Sequence, residues 1–140
     1  MSEYNFSIEA ENVNKTYEKN NNRVNALVGF NLNIPSGSIY GLLGPNGAGK
    51  STFINILGGL VIKNTGKIKV CGIDLDLSPK NIRKKIGIVP QELNIDPFFT
   101  PIELLELQAG LYGVPRKNRI SEEILSNLGL LDQRNAYARS

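Results

Sequence analysis

The sequence contains no histidine and no tryptophan, and its only cysteine is Cys71. A single cysteine excludes an intramolecular disulfide and a metal site built from a cysteine cluster. With no secretory segment visible at the N-terminus, the low cysteine content predicts a reducing, cytosolic setting. No apolar run approaches the ~20 residues that span a bilayer, so a protein working at a membrane would need a partner to do the spanning.

The charge balance offers no strong signal for a nucleic-acid partner. The 140 residues, about the length of one ordinary domain, carry a net charge of +3. The tight basic groups are Arg83-Lys84-Lys85 and Arg116-Lys117-Arg119, each at the edge of a predicted amphipathic helix. Because no aromatic residue is interleaved with either group, both are interpreted as solvated helix faces.

A glycine-rich loop is the most informative feature present. It matches the pattern G-x-x-x-x-G-K-[ST] and consists of Gly44, Pro45, Asn46, Gly47, Ala48, Gly49, Lys50, Ser51 and Thr52. Glycines let the backbone curl with its N–H groups pointing inward, so that an anion sits on amide dipoles and on the next helix's N-terminus. Lys50 would add a point charge for the outer phosphates, and Ser51 a hydroxyl for Mg²⁺. The loop predicts a Mg-nucleotide site.

The flanking sequence distinguishes this loop from a glycine-rich turn that matches by chance. The preceding run, Ile39–Leu43, is short and apolar, which predicts a strand buried on both faces of a parallel sheet. After the loop, apolar residues recur at helical spacing: Phe53, Ile54, Leu57 and Leu60. Strand, loop and helix therefore come in the order that a phosphate-binding loop requires.

The rest of the chain gives a coarse element order. Two half-exposed antiparallel strands are predicted around residues 6–10 and 30–34, with a polar hairpin loop over 18–23. Short strands are predicted over 67–70 and, as a second buried type, over 86–89. Helices are predicted over 79–85, from the capping box at Thr100 to Gly113, and over about 120–128.

Together these segments resemble the ATP-binding subunit of ABC transporters. The likeness covers Ala26–Thr52 nearly throughout, continues through Gly66–Gly72 and Gln91, and takes in most of the chain. It implies an α/β P-loop NTPase fold, present as an incomplete ABC-type ATPase domain. Residues 1–91 would form the antiparallel β subdomain and part of the parallel-sheet core, and residues 92–140 the start of the helical subdomain.

The resemblance assigns roles to further residues. Tyr17 would stack on adenine, although a tyrosine at a strand end is also common as a plain surface residue. Val24 would pack beside the sugar. Gln91, at the end of the strand over 86–89, would reach Mg²⁺ and the attacking water, so that Ser51 and Gln91 are the implied metal ligands and Lys50 and Gln91 the implied catalytic residues. ATP and Mg²⁺ are the implied ligands.

Several elements of the family's catalytic site are missing from the sequence. The resemblance implies a signature sequence, an apolar strand ending in Asp-Glu and a switch histidine, and none is present. Asp132 follows an apolar run, but Gln133 stands where the glutamate base would be, so Asp132 is interpreted as a surface carboxylate at a helix end. We expect the 140 residues to be the N-terminal part of a longer subunit, and the isolated chain to bind nucleotide without turnover.

For the longer subunit, the resemblance implies a transmembrane permease partner and a head-to-tail dimer of ATP-binding subunits. It also implies a cytoplasmic, peripheral position at the inner face of the cell membrane. Residues 94–114 look most like exporters of drugs and similar compounds. A soluble ABC-type ATPase of DNA repair or translation and a non-hydrolysing nucleotide-binding fragment remain alternatives. A GTPase would need Asn-Lys-x-Asp, but Asn14-Lys15-Thr16-Tyr17 has tyrosine at the last position and precedes the loop.

Overall fold

The computed structural model describes residues 4–19, 22–89 and 97–137. The chain divides into two compact units, residues 1–88 and residues 89–140, which are described separately below. The domain boundary predicted between residues 91 and 92 falls in a segment outside the described residues and stays a prediction, as does the role of Gln91.

A long β-hairpin forms the first unit's main scaffold. Strand β1 (Phe6–Lys19) pairs antiparallel with strand β2 (Asn22–Pro35), which confirms the predicted pair of antiparallel strands. The hairpin loop predicted over residues 18–23 is too long, because Glu18 pairs with Arg23 and Lys19 with Asn22 in the ladder. A polar, exposed strand end gives no hydrophobic alternation, so its pairing was invisible in the sequence.

Two shorter strands complete an antiparallel sheet. Strand β3 (Thr65–Val70) pairs with β1, and strand β4 (Ile73–Asp74) pairs with β3, giving the order β2-β1-β3-β4. Gly66 permits the close approach of β3 to β1, since a Cβ on it would lie 2.4 Å from the Asn12 carbonyl oxygen. The sheet presents one apolar face to the helices.

Helix α1 (Lys50–Leu57) packs on that face and contributes Phe53, Ile56 and Leu57 to the core. Its buried side chains join residues of three strands in one cluster, to which helix α2 (Pro79–Arg83) adds Ile82. The cluster consists of Ala10, Val13, Leu27, Phe53, Ile56, Leu57, Ile68, Val70 and Ile82. The apolar stripe predicted to run to Leu60 is too long, because the helix ends at Leu57 and Leu60 is exposed.

Two strand predictions are wrong. Residues 39–43 and 86–89 have no regular secondary structure and form no ladder, and Ile39 and Leu43 are 105% and 93% exposed. The physical reason is the lack of a hydrogen-bonding neighbour, since every strand pair among residues 4–19, 22–89 and 97–137 is antiparallel and involves other segments. An apolar run in a sequence indicates that a segment is suited to a buried strand. It does not show that a neighbouring strand is present, and here none pairs with either segment.

The second unit is helical. Helix α3 (Pro101–Leu111) begins at Thr100, whose side chain and that of Glu103 form the predicted capping box, and helix α4 (Ser121–Asn127) follows a 3₁₀ turn over Arg116–Asn118. Asp132 lies exposed in a second 3₁₀ turn, Leu131–Gln133, and not at the end of a strand.

A polar contact joins α3 to the segment entering α4. Glu106 accepts hydrogen bonds of 2.6 Å from Arg119 Nη1 and 2.6 Å from Ser121 Oγ. The Ser121 hydroxyl and then the Arg119 guanidinium hold the pKa of Glu106 below its ordinary value. Because the folded-state pKa is lowered, the contact stabilises the fold above the ordinary glutamate pKa, and this stabilisation is lost as the pH falls through the folded-state value.

We therefore predict that Glu106→Gln lowers the melting temperature at pH 7 and reduces the loss of stability between pH 5 and pH 3. The neutral amide keeps the shape but removes the titrating charge that Arg119 and Ser121 stabilise. Thermal unfolding followed by circular dichroism at several pH values measures both effects. Glu123→Gln, at an exposed position of α4, is the matched control. Equal acid sensitivity in both variants would contradict the assignment to Glu106.

A candidate nucleotide site

The glycine-rich loop wraps back on itself ahead of helix α1. Gly47 and Gly49 have left-handed φ angles of 84° and 87°, which side chains with a Cβ adopt at a cost, and the Ala48 N–H donates to the Pro45 carbonyl at 3.2 Å. Lys50 is the first residue of the helix, so the helix's unpaired N–H groups and the positive end of its dipole open onto the loop. This arrangement is suited to hold an anion.

Gly49 also fixes the loop against the hairpin. A Cβ on Gly49 would lie 2.4 Å from the Ala26 carbonyl oxygen and 2.6 Å from Leu27 Cδ2, closer than any side-chain carbon tolerates. The start of α1 therefore packs directly on the Ala26 backbone and the Leu27 side chain of β2, with no space for a Cβ at position 49.

The Lys50 ammonium folds back over the loop. Its Nζ donates to the carbonyl oxygens of Gly44 at 2.6 Å and Pro45 at 2.7 Å. These bonds place a positive charge beside the N–H groups of the loop, in the position from which it can transfer to phosphate oxygens. Both carbonyls are exposed, so water can replace the ammonium there when it moves.

Ser51 and Thr52 occupy the first turn of α1, with Ser51 exposed and Thr52 half-buried. In the described parts of the chain, no group of three or more His, Cys, Asp or Glu side chains could hold a metal ion. A hydroxyl beside bound phosphate oxygens fits Mg²⁺, because this ion keeps several waters and is commonly shared between one or two protein oxygens and phosphates.

Tyr17 and Val24, the residues assigned to the base and the sugar, are directly opposite each other in the β1–β2 ladder. Their side chains are 40% and 60% exposed. On the same strand face, Lys15 Nζ lies 5.0 Å from the centroid of the Tyr17 ring.

A bulge in β2 brings this pair to the face on which the loop packs. Lys15 is paired with Leu27 but Thr16 with Asn25, so the ladder passes over one residue of β2, Ala26. Val24 and Leu27 are three positions apart and would face opposite sides of a regular strand; the extra residue returns them to one side. The Ala26 carbonyl at this bulge is the atom that Gly49 contacts.

The loop and the Tyr17–Val24 pair therefore lie along one face of the hairpin. Directly opposed residues share a face, so Lys15 is on the side of Leu27, and Tyr17 follows it two residues along β1, a displacement of about 7 Å. Sequence reasoning missed Ala26, Leu27 and Lys15. The sequence did contain an indication of Lys15, because it lies two positions before Tyr17 in a strand. No sequence pattern indicated the bulge.

A glycine loop of this conformation, closed by a lysine at the start of a helix and packed on a sheet, defines the chain as a P-loop protein. The comparison with known families goes further: the family model described as ABC transporter matches residues 27–140. The chain belongs to the ABC transporter family, as the sequence resemblance predicted.

Curated relatives include the ATP-binding protein of an import system and that of a drug-resistance system. The chain is 38% identical over 136 residues to the methionine import ATP-binding protein MetN 2 of Enterococcus faecalis, covering 93% of this chain and 39% of the relative. It is 35% identical over 136 residues to the daunorubicin/doxorubicin resistance ATP-binding protein DrrA of Streptomyces peucetius, covering 96% of this chain and 40% of the relative. The chain thus spans about two fifths of the length of these relatives.

Solved structures agree on the fold. The ATP-binding cassette MJ0796, solved as a dimer in a post-hydrolysis state bound to ADP and Pi, superposes with a TM-score of 0.77 at 31% identity. The match covers 94% of this chain and 62% of that one. The predicted fold class, an incomplete ABC-type P-loop domain, is confirmed. Across the described segments, no helix is both long and apolar enough to cross a membrane.

Gly47 and Gly49 both have positive φ, and comparing substitutions at the two positions distinguishes the cost of backbone strain from the cost of a steric clash. We predict that Gly49→Ala lowers the melting temperature far more than Gly47→Ala. Both substitutions place a Cβ at positive φ, which costs about 1–2 kcal/mol, but only Gly49→Ala drives that Cβ into the β2 backbone. A Cβ on Gly47 meets no atom within 4 Å. Thermal unfolding measures both, and equal losses would show that Gly49 does not hold the loop on β2.

Proposed function

We propose that this chain binds ATP, with the phosphates in the loop Gly44–Thr52 and the adenine on the Tyr17 ring. The observation that carries the proposal is the packing of Gly49 on the β2 bulge, because it holds a phosphate-binding loop and an exposed aromatic ring on one sheet face. A nucleotide presents an anion at one end and a flat π-system at the other, which is the chemistry of these two sites. Val24, opposite Tyr17, would contact the sugar.

In the proposed complex, Lys50 exchanges its bonds to the Gly44 and Pro45 carbonyls for bonds to the outer phosphates. These new bonds join two charged partners and are stronger than those they replace. Ser51 offers its hydroxyl to the Mg²⁺ that accompanies the nucleotide, and Gln91, outside the described residues, is the second proposed ligand. Mg²⁺ would neutralise charge that develops on the phosphates.

We further propose that the longer protein to which these residues belong hydrolyses ATP to drive transport, with Lys50 and Gln91 among its catalytic residues. The relatives named above support this, because each is described as the ATP-binding protein of an import or resistance system. Export is the proposed direction, supported by the resemblance of residues 94–114 to exporters and by the further likeness to Nod factor export proteins.

The proposed partners are a transmembrane permease subunit and a second ATP-binding subunit in head-to-tail orientation, with the whole at the inner face of the cell membrane. The dimeric state of the MJ0796 cassette supports pairing of such domains. The 140 residues alone are proposed to bind ATP without turnover, because phosphoryl transfer to water needs a positioned base beyond the phosphate cradle.

Binding of ATP to the purified chain tests this proposal. We predict that Lys50→Ala weakens ATP binding about tenfold or more, because it removes a charged donor to the phosphates. Tyr17→Ala should weaken ATP binding about fivefold or more through lost stacking, while leaving the affinity for inorganic tripolyphosphate unchanged. Isothermal titration with and without Mg²⁺ gives both affinities.

Lys67→Ala is the matched control for the loss of one positive charge, since Lys67 is exposed on β3, opposite Glu11 of β1 in the ladder. Binding that is indifferent to Lys50 would refute the phosphate site, and binding that is indifferent to Tyr17 would refute the adenine site. Turnover well above that of Lys50→Ala would overturn the proposal that the chain binds without hydrolysis.

A further inference from the structure

A lysine lies against the ring to which the adenine is assigned. Lys15 Nζ is 5.0 Å from the Tyr17 ring centroid, within the range of a cation–π interaction, and Lys15 is half-buried. The two residues are at positions i and i+2 of β1, so their side chains leave the same face of the sheet. The ammonium occupies one side of the ring.

Hydrogen bonds of Thr16 and Asn14 hold the backbone that carries this pair. The Thr16 N–H donates to Asn64 Oδ1 at 2.7 Å, and its hydroxyl donates to Asn25 Oδ1 at 2.9 Å. The Asn64 N–H in turn donates to the Asn14 carbonyl at 2.9 Å. With the strand fixed in this way, the remaining freedom of the Tyr17 side chain is rotation about its own two side-chain bonds.

We propose that Lys15 is a positioning residue for nucleotide binding, acting through Tyr17. Its ammonium holds the ring by one face and leaves the other for the base, so the ring loses less rotational freedom when the base stacks. This inference rests on the proposed function, because it requires the base to contact Tyr17. It goes further in assigning a role to a residue outside the phosphate loop that neither binds the base nor takes part in the reaction.

The competing role for Lys15 is that of a second phosphate-binding charge. Lys15 is opposite Leu27 in the ladder, and Leu27 packs against Gly49 of the loop, so the Lys15 backbone lies close to the proposed phosphate site. The cation–π geometry favours the positioning role, since the charge already has a partner in the ring. Inorganic tripolyphosphate separates the two roles, because it carries the charge of the nucleotide's phosphates and has no base.

The experiment compares ATP and tripolyphosphate affinities by isothermal titration for the full 140-residue chain and its variants. We expect Lys15→Met to weaken ATP binding about two- to fivefold and to leave tripolyphosphate binding unchanged. Lys15→Arg should restore ATP affinity, because a guanidinium also stacks on an aromatic ring. In a Tyr17→Ala background, Lys15→Met should have no further effect. Lys67→Met, the same change on β3, is the control for net charge.

Each other result overturns the proposal. Equal weakening of ATP and tripolyphosphate binding by Lys15→Met would make Lys15 a phosphate ligand. Unchanged ATP binding by Lys15→Met, with Tyr17→Ala still impaired, would refute the positioning role alone. If Tyr17→Ala or Lys50→Ala leaves ATP binding intact, the proposed nucleotide site itself fails and the inference with it. Retained tripolyphosphate binding shows that a variant has kept its folded loop.

Discussion

The contact between Gly49 and the bulged backbone of β2 is the constraint on which the site depends. It leaves no space for a Cβ at position 49, so the close packing of the phosphate loop on β2 requires glycine there. The bulge positions both the loop and the Tyr17–Val24 pair. Its Ala26 carbonyl packs against Gly49, and its extra residue places Val24 on the same face as the loop. One local irregularity in a strand thus links the parts of the sequence proposed to hold the two ends of a nucleotide.

The sequence predicted the parts of this site well because each has a local cause. The loop needs glycines at fixed spacing, α1 shows its apolar stripe, and the hairpin shows alternating residues, all of which the structure contains. Family membership rests on residues 27–140, a span that excludes Tyr17 and Val24. Their placement beside the loop depends on strand register, which a single strand's sequence does not specify.

The strand predictions that were wrong required a neighbouring strand, and the loop prediction that was wrong concerned a polar strand end. Residues 39–43 and 86–89 have the composition of buried strands, but composition records suitability for a sheet and not the presence of a neighbour. The polar tract 18–23 resembled a loop, yet most of it is held in the ladder, where Arg23 Nε and Glu18 Oε1 are 3.5 Å apart. Backbone hydrogen bonds of a solvated strand end need no apolar side chains, so no hydrophobic period marks them.

The segment Ile39–Leu43, in which Leu42 alone is partly buried, affects how the chain behaves in solution. It carries no charge and no proline, and Ile39 and Leu43 are almost fully accessible. Short uncharged apolar segments outside a sheet ladder are the type that stacks into cross-β aggregates. Pro35 and Pro45, on either side, limit how far such stacking extends along the chain, as proline gatekeepers do in other proteins. We therefore expect the solubility of this chain to depend on whether these five residues next to its phosphate loop are covered.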